Sequence, residues 1–208
     1  MSDKPDLNKA YALETPEDNL ALYADWATTY DTGFAVDMDY RLPQIVAEIL
    51  GEQNPQGPIL DVGAGTGLVA QAFPMRGSVE IHALDISPEM LAVAMKKGFY
   101  ARAVLADLTL PLQLEANTYG AVVSSGTFTH GHVGPVALDG LLKVAKSGAV
   151  FVLAINAKHF EARGFEEKFA SLEIDIDELM FREMAIYGAG TDAAHRDDTA
   201  LISIFSKR

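Results

Sequence analysis

The sequence predicts an α/β fold. It reads as a three-layer sandwich on a mostly parallel seven-stranded sheet, with an antiparallel strand near one edge and an N-terminal helical lid. Three observations predict it. Short apolar runs alternate with stretches of helical period, the pattern of parallel strands joined by crossover helices. The runs are apolar on successive residues, as in a sheet buried on both faces. The last two runs have no crossover helix between them, so they are expected to pair antiparallel at one edge.

Taken in order, residues 1–16 form a polar arm, 17–51 a helical lid and 58–208 the sheet, all within a single domain of 208 residues. Thr15, Pro16, Glu17 and Asp18 make a helix start: a cap, a proline at the first position and acids in the first turn. Leu20, Tyr23 and Ala27 continue at helical spacing beside Trp26, and Gly33 ends the stretch. The spacing of Leu42, Ile45, Val46, Ile49 and Leu50 predicts a helix over 40–50, closed by Gly51. Residues 54–58 are loop chemistry. Strands are expected at 59–62, 79–85, 101–106, 119–124, 149–155, 181–187 and 199–205. Helices are expected at 68–73, 87–97, 136–146 and 164–172.

Composition narrows the function. A hydrophobic share of 49% excludes a disordered chain. A net charge of −13 with no basic run argues against nucleic acid as a partner. No apolar run reaches the ~18 residues of a membrane span. With no export signal at Met1 to Lys9, the expected location is the cytoplasm. There is no cysteine, hence no thiolate nucleophile and no cysteine-ligated metal.

The strongest local signal is Asp61-Val62-Gly63-Ala64-Gly65-Thr66-Gly67, between a strand and a helix. Glycines at alternate positions let the backbone pass close under a ligand and turn sharply into the helix. A dinucleotide fingerprint needs a sixth-position glycine, but the sixth residue from Gly63 is Leu68. An acid two positions before the first glycine suits a ligand with an amino-acid portion, whose ammonium Asp61 can hold directly or through water. Asp61 could equally be a strand-end acid capping a loop. Asp85 lies 22 residues after Gly63 at the end of the next strand, where an acid accepts from both ribose hydroxyls. Helix capping is its other reading, and Ser87 is the better cap. Asp107, ending the third strand, can accept from an adenine amine or stand as a solvated loop acid.

These residues, with Leu84-Asp85-Ile86-Ser87-Pro88-Glu89-Met90-Leu91 and Ala106-Asp107-Leu108, resemble class I S-adenosylmethionine-dependent methyltransferases. The resemblance covers about residues 20–208 and implies a Rossmann-like sandwich. The segment from Tyr23 to Asp31, with Tyr40, Arg41 and Pro43, is similar to the Williams–Beuren-region methyltransferase-like group. In that resemblance Gly63, Ala64, Gly65 and Gly67 pass under the methionine part of S-adenosyl-L-methionine, and Asp61 supports its ammonium. Asp85 takes the ribose, Ile86 and Met90 pack on the adenine, and Asp107 and Leu108 meet its edge. Ser124 ends the fourth strand beside the methyl group. Met90 also reads as a helix core residue.

The fourth strand ends in Ser124-Ser125-Gly126-Thr127 rather than the Asn/Asp-Pro-Pro-aromatic tetrad of many nucleic-acid amine methyltransferases. His130 and His132 follow it on the ligand side and are the catalytic candidates, as acceptor-positioning groups or proton acceptors; they also read as plain loop histidines. Two histidines without a third ligand do not make a metal site, so none is expected. Trp26, Tyr30 and Tyr40 offer aromatic faces to a sulfonium, or simply pack the lid. With no inserted domain and no long tail, the expected activity is methyl transfer to a small-molecule acceptor by in-line displacement at the sulfonium methyl. The alternatives are an NAD-dependent oxidoreductase, which Leu68 disfavours, and a non-catalytic adenosyl-cofactor-binding protein. The sequence leaves the oligomeric state open.

Overall fold

The computed structural model describes residues 22–75, 77–129, 133–189 and 195–208. The strands are β1 (Ile59–Val62), β2 (Ile81–Asp85), β3 (Arg102–Leu105), β4 (Tyr119–Phe128), β5 (Ala145–Asn156), β6 (Ile176–Ala185) and β7 (Thr199–Lys207). They form a seven-stranded sheet in the order β3-β2-β1-β4-β5-β7-β6. Strands β1 to β5 pair parallel. Strand β7 inserts between β5 and β6 and runs antiparallel to both. The antiparallel strand therefore lies one place in from the edge.

Residues 22–26 are helical. The named helices are α1 (Phe34–Asp37), α2 (Leu42–Glu52), α3 (Leu68–Ala72), α4 (Pro88–Lys96), α5 (Ala137–Val144), α6 (Ala157–Ala162) and α7 (Phe165–Ser171). Strand alternation sorts the core into two faces. On one, Ile59, Ala83, Val123 and Ile202 meet Val46 and Leu50 of α2, Val69 of α3 and Leu91 of α4. On the other, Leu60, Val62, Val122 and Phe151 meet Leu138 and Leu141 of α5 and Phe169 of α7. Helices thus cover both faces, giving the three layers expected.

Several boundaries differ from the sequence expectation. Gly51 lies inside α2 instead of ending it. A Cβ there would stand 2.7 Å from Pro74 Cγ, so the missing side chain allows close packing of the segment after α3. The helix expected to reach residue 146 stops at Val144, because Ala145 already pairs with Tyr119 as the start of β5. Strand β4 continues to Phe128 through an irregularity at Gly126, whose φ is +81°. Helix α6 was not anticipated; Asn156 caps it by accepting from the His159 amide at 3.1 Å. Strand β6 starts earlier than expected, and Tyr187 beyond it forms an isolated bridge with Tyr40. That bridge ties the N-terminal segment to the rim of the sheet.

Candidate active site at the carboxyl edge of the sheet

A cavity opens where the strand order reverses, at the carboxyl ends of β1, β2 and β4. Open α/β sheets place their ligands at this kind of switch point. Its floor is the loop after β1. Gly63 has φ +64°, and a Cβ there would lie 1.9 Å from Thr127 Oγ1. The Thr127 hydroxyl fills that space and donates to the Val62 carbonyl at 2.8 Å, as does the Ser124 hydroxyl. Gly65 has φ +53°, and a Cβ there would meet open space. Gly67, with φ +89°, starts α3.

Asp85 closes one end of this floor. The Gly65 amide donates to its Oδ2 at 2.7 Å and the Ser87 amide to its Oδ1 at 2.9 Å. Burial pushes its carboxyl above the usual range, and these amides pull it back. Ser87 also caps α4 by accepting from the Met90 amide at 3.2 Å, with Pro88 starting the helix. Ile86, Met90 and Leu108 add apolar surface beside Asp85. Asp107 accepts from both the amide and the hydroxyl of Thr109, each at 2.7 Å.

Aromatic rings form the opposite wall. Tyr23, Tyr30, Phe34, Tyr40 and Tyr187 all line the cavity. Ring centroids lie 5.0 Å apart for Tyr30 and Phe34, and 5.7 Å for Tyr40 and Tyr187. The Tyr40 hydroxyl shares a 3.2 Å hydrogen bond with Ser125. Burial pushes Tyr40 up to about 12 and Tyr30 well above its ordinary value, so both phenols stay neutral at physiological pH. Asp31 anchors this segment. It accepts from Thr66 Oγ1 at 2.5 Å and ion-pairs with Lys97.

Of the residues singled out from sequence, Gly63, Ala64, Gly65, Asp85, Ile86, Met90, Asp107, Leu108 and Tyr30 line one cavity. Four others do not line it. Trp26 is a core residue behind the wall, stacked on Phe34 at 6.0 Å and edge-on to Tyr23 at 5.7 Å. Asp61 is fully buried beneath the loop, where Tyr100 donates to its Oδ2 at 2.5 Å. Ser124 is buried and bonded to backbone, and Gly67 packs against Tyr100. His130 and His132 lie outside the described residues. Sequence reasoning passed over Phe34, Asn156 and Tyr187, and took Ser125 and Thr127 only as part of the run that ends the fourth strand. Asn156 did leave a signal, as the polar residue that ends the apolar run 149–155. The others become visible only when distant strands meet. Among the described residues, no group of three metal-ligating side chains gathers, and no helix is long and apolar enough to cross a membrane.

Comparison with known proteins agrees with this architecture. Residues 59–148 match the pattern of a methyltransferase domain. Human methyltransferase-like protein 27 is 34% identical over 169 residues, spanning 79% of this chain and 68% of that protein. A TehB-like SAM-dependent methyltransferase from Corynebacterium glutamicum superposes with a TM-score of 0.64 at 20% identity, covering 90% of this chain and 99% of that one. The [4+2]-cyclase SpnF superposes with a TM-score of 0.58 at 15% identity, covering 79% of this chain and 81% of that one. These two structural likenesses concern the fold alone. The chain belongs to the class I S-adenosyl-L-methionine-dependent methyltransferases. Within that class it is a relative of methyltransferase-like protein 27.

The cavity fits the cofactor of that family. Gly65 leaves open space where a side chain would stand, and Asp85 presents a carboxylate at the strand end; beneath the loop, outside the cavity lining, the buried Asp61 Oδ1 has no hydrogen-bond partner among the described residues.

Proposed function

We propose that this methyltransferase acts on a small-molecule acceptor seated against the aromatic wall. The observation that carries the reading is the roof. Residues 22–41 contribute Tyr23, Tyr30, Phe34 and Tyr40 to the cavity and are fastened at Asp31 to Thr66 and Lys97, at Tyr40 to Ser125, and at Arg41 to the Ile186 carbonyl. A roof fastened at several points favours a compact acceptor over an extended polymer.

In this reading the loop of Gly63, Ala64, Gly65 and Gly67 would hold the methionine portion of the cofactor, with Asp61 beneath it. Asp85 would take the ribose, Ile86 and Met90 the adenine faces, and Asp107 and Leu108 its edge. The cofactor supplies a methyl group already activated on a sulfonium. The chain's own work is orientation and exclusion of water, and alignment of reacting groups lowers a barrier by roughly 7–11 kcal/mol. Tyr30, Phe34, Tyr40 and Tyr187 would bound the acceptor. Ser125 would hold Tyr40 in place, and Trp26 would brace Phe34 from behind.

The test uses methyl-labelled S-adenosyl-L-methionine with fractionated cell extract. Label transferred to low-molecular-weight material supports the reading. Label carried only by protein or nucleic acid overturns it.

A further inference from the structure

We propose that the methyl acceptor is a flat, weakly basic nitrogen compound, methylated on nitrogen and held as a cation by the aromatic wall. Its class is an aryl amine or a nitrogen heterocycle that is uncharged at neutral pH. The inference rests on the small-molecule reading above and names the chemistry of that acceptor.

The charge of the lining sets the sign. Among the described residues, the charged side chains that line the cavity are Asp85 and Asp107, and no Lys, Arg or His joins them. A carboxylate or phosphate acceptor would enter beside two acids, in a chain of net charge −13, with no cation of the lining to receive it.

The wall suits the opposite charge. Tyr23, Tyr30, Phe34, Tyr40 and Tyr187 form one continuous run of ring contacts, with neighbouring centroids between 5.0 and 6.5 Å apart. Aromatic rings attract a cation within about 6 Å of their centres, and grouped rings recognise methylated ammonium ions. A flat acceptor also buries well against rings.

The polar groups of the cavity narrow the accepting atom. A hydroxyl or thiol acceptor has to lose its proton as it reacts, which calls for a base. Asp85 accepts from the Gly65 and Ser87 amides and Asp107 from Thr109, and both belong to the cofactor in the placement above. Every other polar side chain of the described lining is a hydroxyl or, at Asn156, an amide. Burial pushes Tyr40 up to about 12 and Tyr30 well above its ordinary value, so neither offers a phenolate. An uncharged nitrogen needs no base. Its lone pair attacks the sulfonium methyl, and the carbon–nitrogen bond forms as the carbon–sulfur bond breaks. The electron pair of the broken bond stays on sulfur, which leaves as S-adenosylhomocysteine. The positive charge passes from sulfur to nitrogen, and an acceptor that carried an N–H then gives that proton to water. A cation stands beside the same rings before and after transfer.

The experiment is a ligand-observed NMR titration of the whole chain saturated with S-adenosylhomocysteine, whose sulfur is uncharged. The probes are N-methylpyridinium, toluene as its uncharged match in shape, and benzoate as an anion. N-methylpyridinium should bind roughly 2–30-fold more tightly than toluene, with benzoate weakest. Tyr40→Phe keeps the ring and should keep that preference; Tyr40→Leu should lose much of it. A wall that serves only packing would give no such split. A cation that binds no better than toluene, or less well than benzoate, overturns the inference. If the folded chain cannot be saturated with S-adenosylhomocysteine, the cofactor placement falls and the inference with it. In extract treated with methyl-labelled cofactor, mass spectrometry should find the methyl on nitrogen of low-molecular-weight material. Label on oxygen, sulfur or carbon of such material overturns the inference and leaves the small-molecule reading standing. Label only on protein or nucleic acid overturns both.

Discussion

At Gly63 two demands coincide: a left-handed backbone and a space already filled by the Thr127 hydroxyl. Gly65 shares the backbone demand but faces open space. Their alanine variants should therefore separate stability from binding. Gly63→Ala should cost more than the about 1–3 kcal/mol of a strained backbone, because Thr127 must also move. Gly65→Ala should lose less stability, yet place a methyl group where the ligand passes. Urea denaturation and S-adenosylhomocysteine titration of both variants read the two effects. Similar stability losses with unchanged affinity would contradict this assignment. Asp85→Ala belongs at the same scale. Bonds to a charged group contribute about 1.5–3 kcal/mol, so affinity should fall roughly 10–150-fold. The variant also frees the Gly65 amide, and hydrogen exchange there should quicken. An unchanged calorimetric affinity would remove Asp85 from the ribose role.

At the scale of an element, the proposed function makes the segment before β1 the one that controls access to the cavity. A nucleotide-binding sheet leaves its ligand open to water, and something must cover it. We propose residues 22–41 as that cover, with Asp31 clasped to Thr66 and Lys97. Asp31→Ala removes a charged hydrogen bond and a half-buried ion pair. Local opening should become easier by about 1–2 kcal/mol, and exchange in 22–41 should speed up roughly 5–30-fold. Trp26, the only tryptophan, is packed on Tyr23 and Phe34, so its emission should shift to the red in that variant. Saturating S-adenosylhomocysteine should slow exchange in the wild-type segment. If both readouts ignore the ligand, residues 22–41 form a fixed wall, and the acceptor's entrance lies elsewhere on the rim.

For the whole molecule, a ligand held by the ends of β1, β2 and β4 stabilises the fold by mass action. At a hundredfold excess over its dissociation constant it contributes about 2.7 kcal/mol. For a chain of this size that raises Tm by about 5–11 °C. S-adenosylhomocysteine should produce such a shift and NAD should not, because Leu68 stands where a dinucleotide loop needs glycine. A shift with NAD and none with S-adenosylhomocysteine would favour the oxidoreductase reading.

The alternation of strands and helices, the turn after β1 and the acid at the end of β2 were all legible in the residues alone. These depend on local causes: hydrophobic period, glycine conformations and a capping serine before a proline. The sequence was less decisive at boundaries set by partners. Helix α5 ends at Val144 because Ala145 finds Tyr119, and Gly51 continues α2 because Pro74 packs where a side chain would be. What surrounds the cavity came from packing between distant parts of the chain. That packing set Thr127 under Gly63, joined Tyr100 to Asp61, brought Tyr187 against Tyr40 and moved Trp26 behind the wall. Those contacts join residues far apart in the chain. They exist only once strand order and register have closed the sheet, and local pattern carries no record of them.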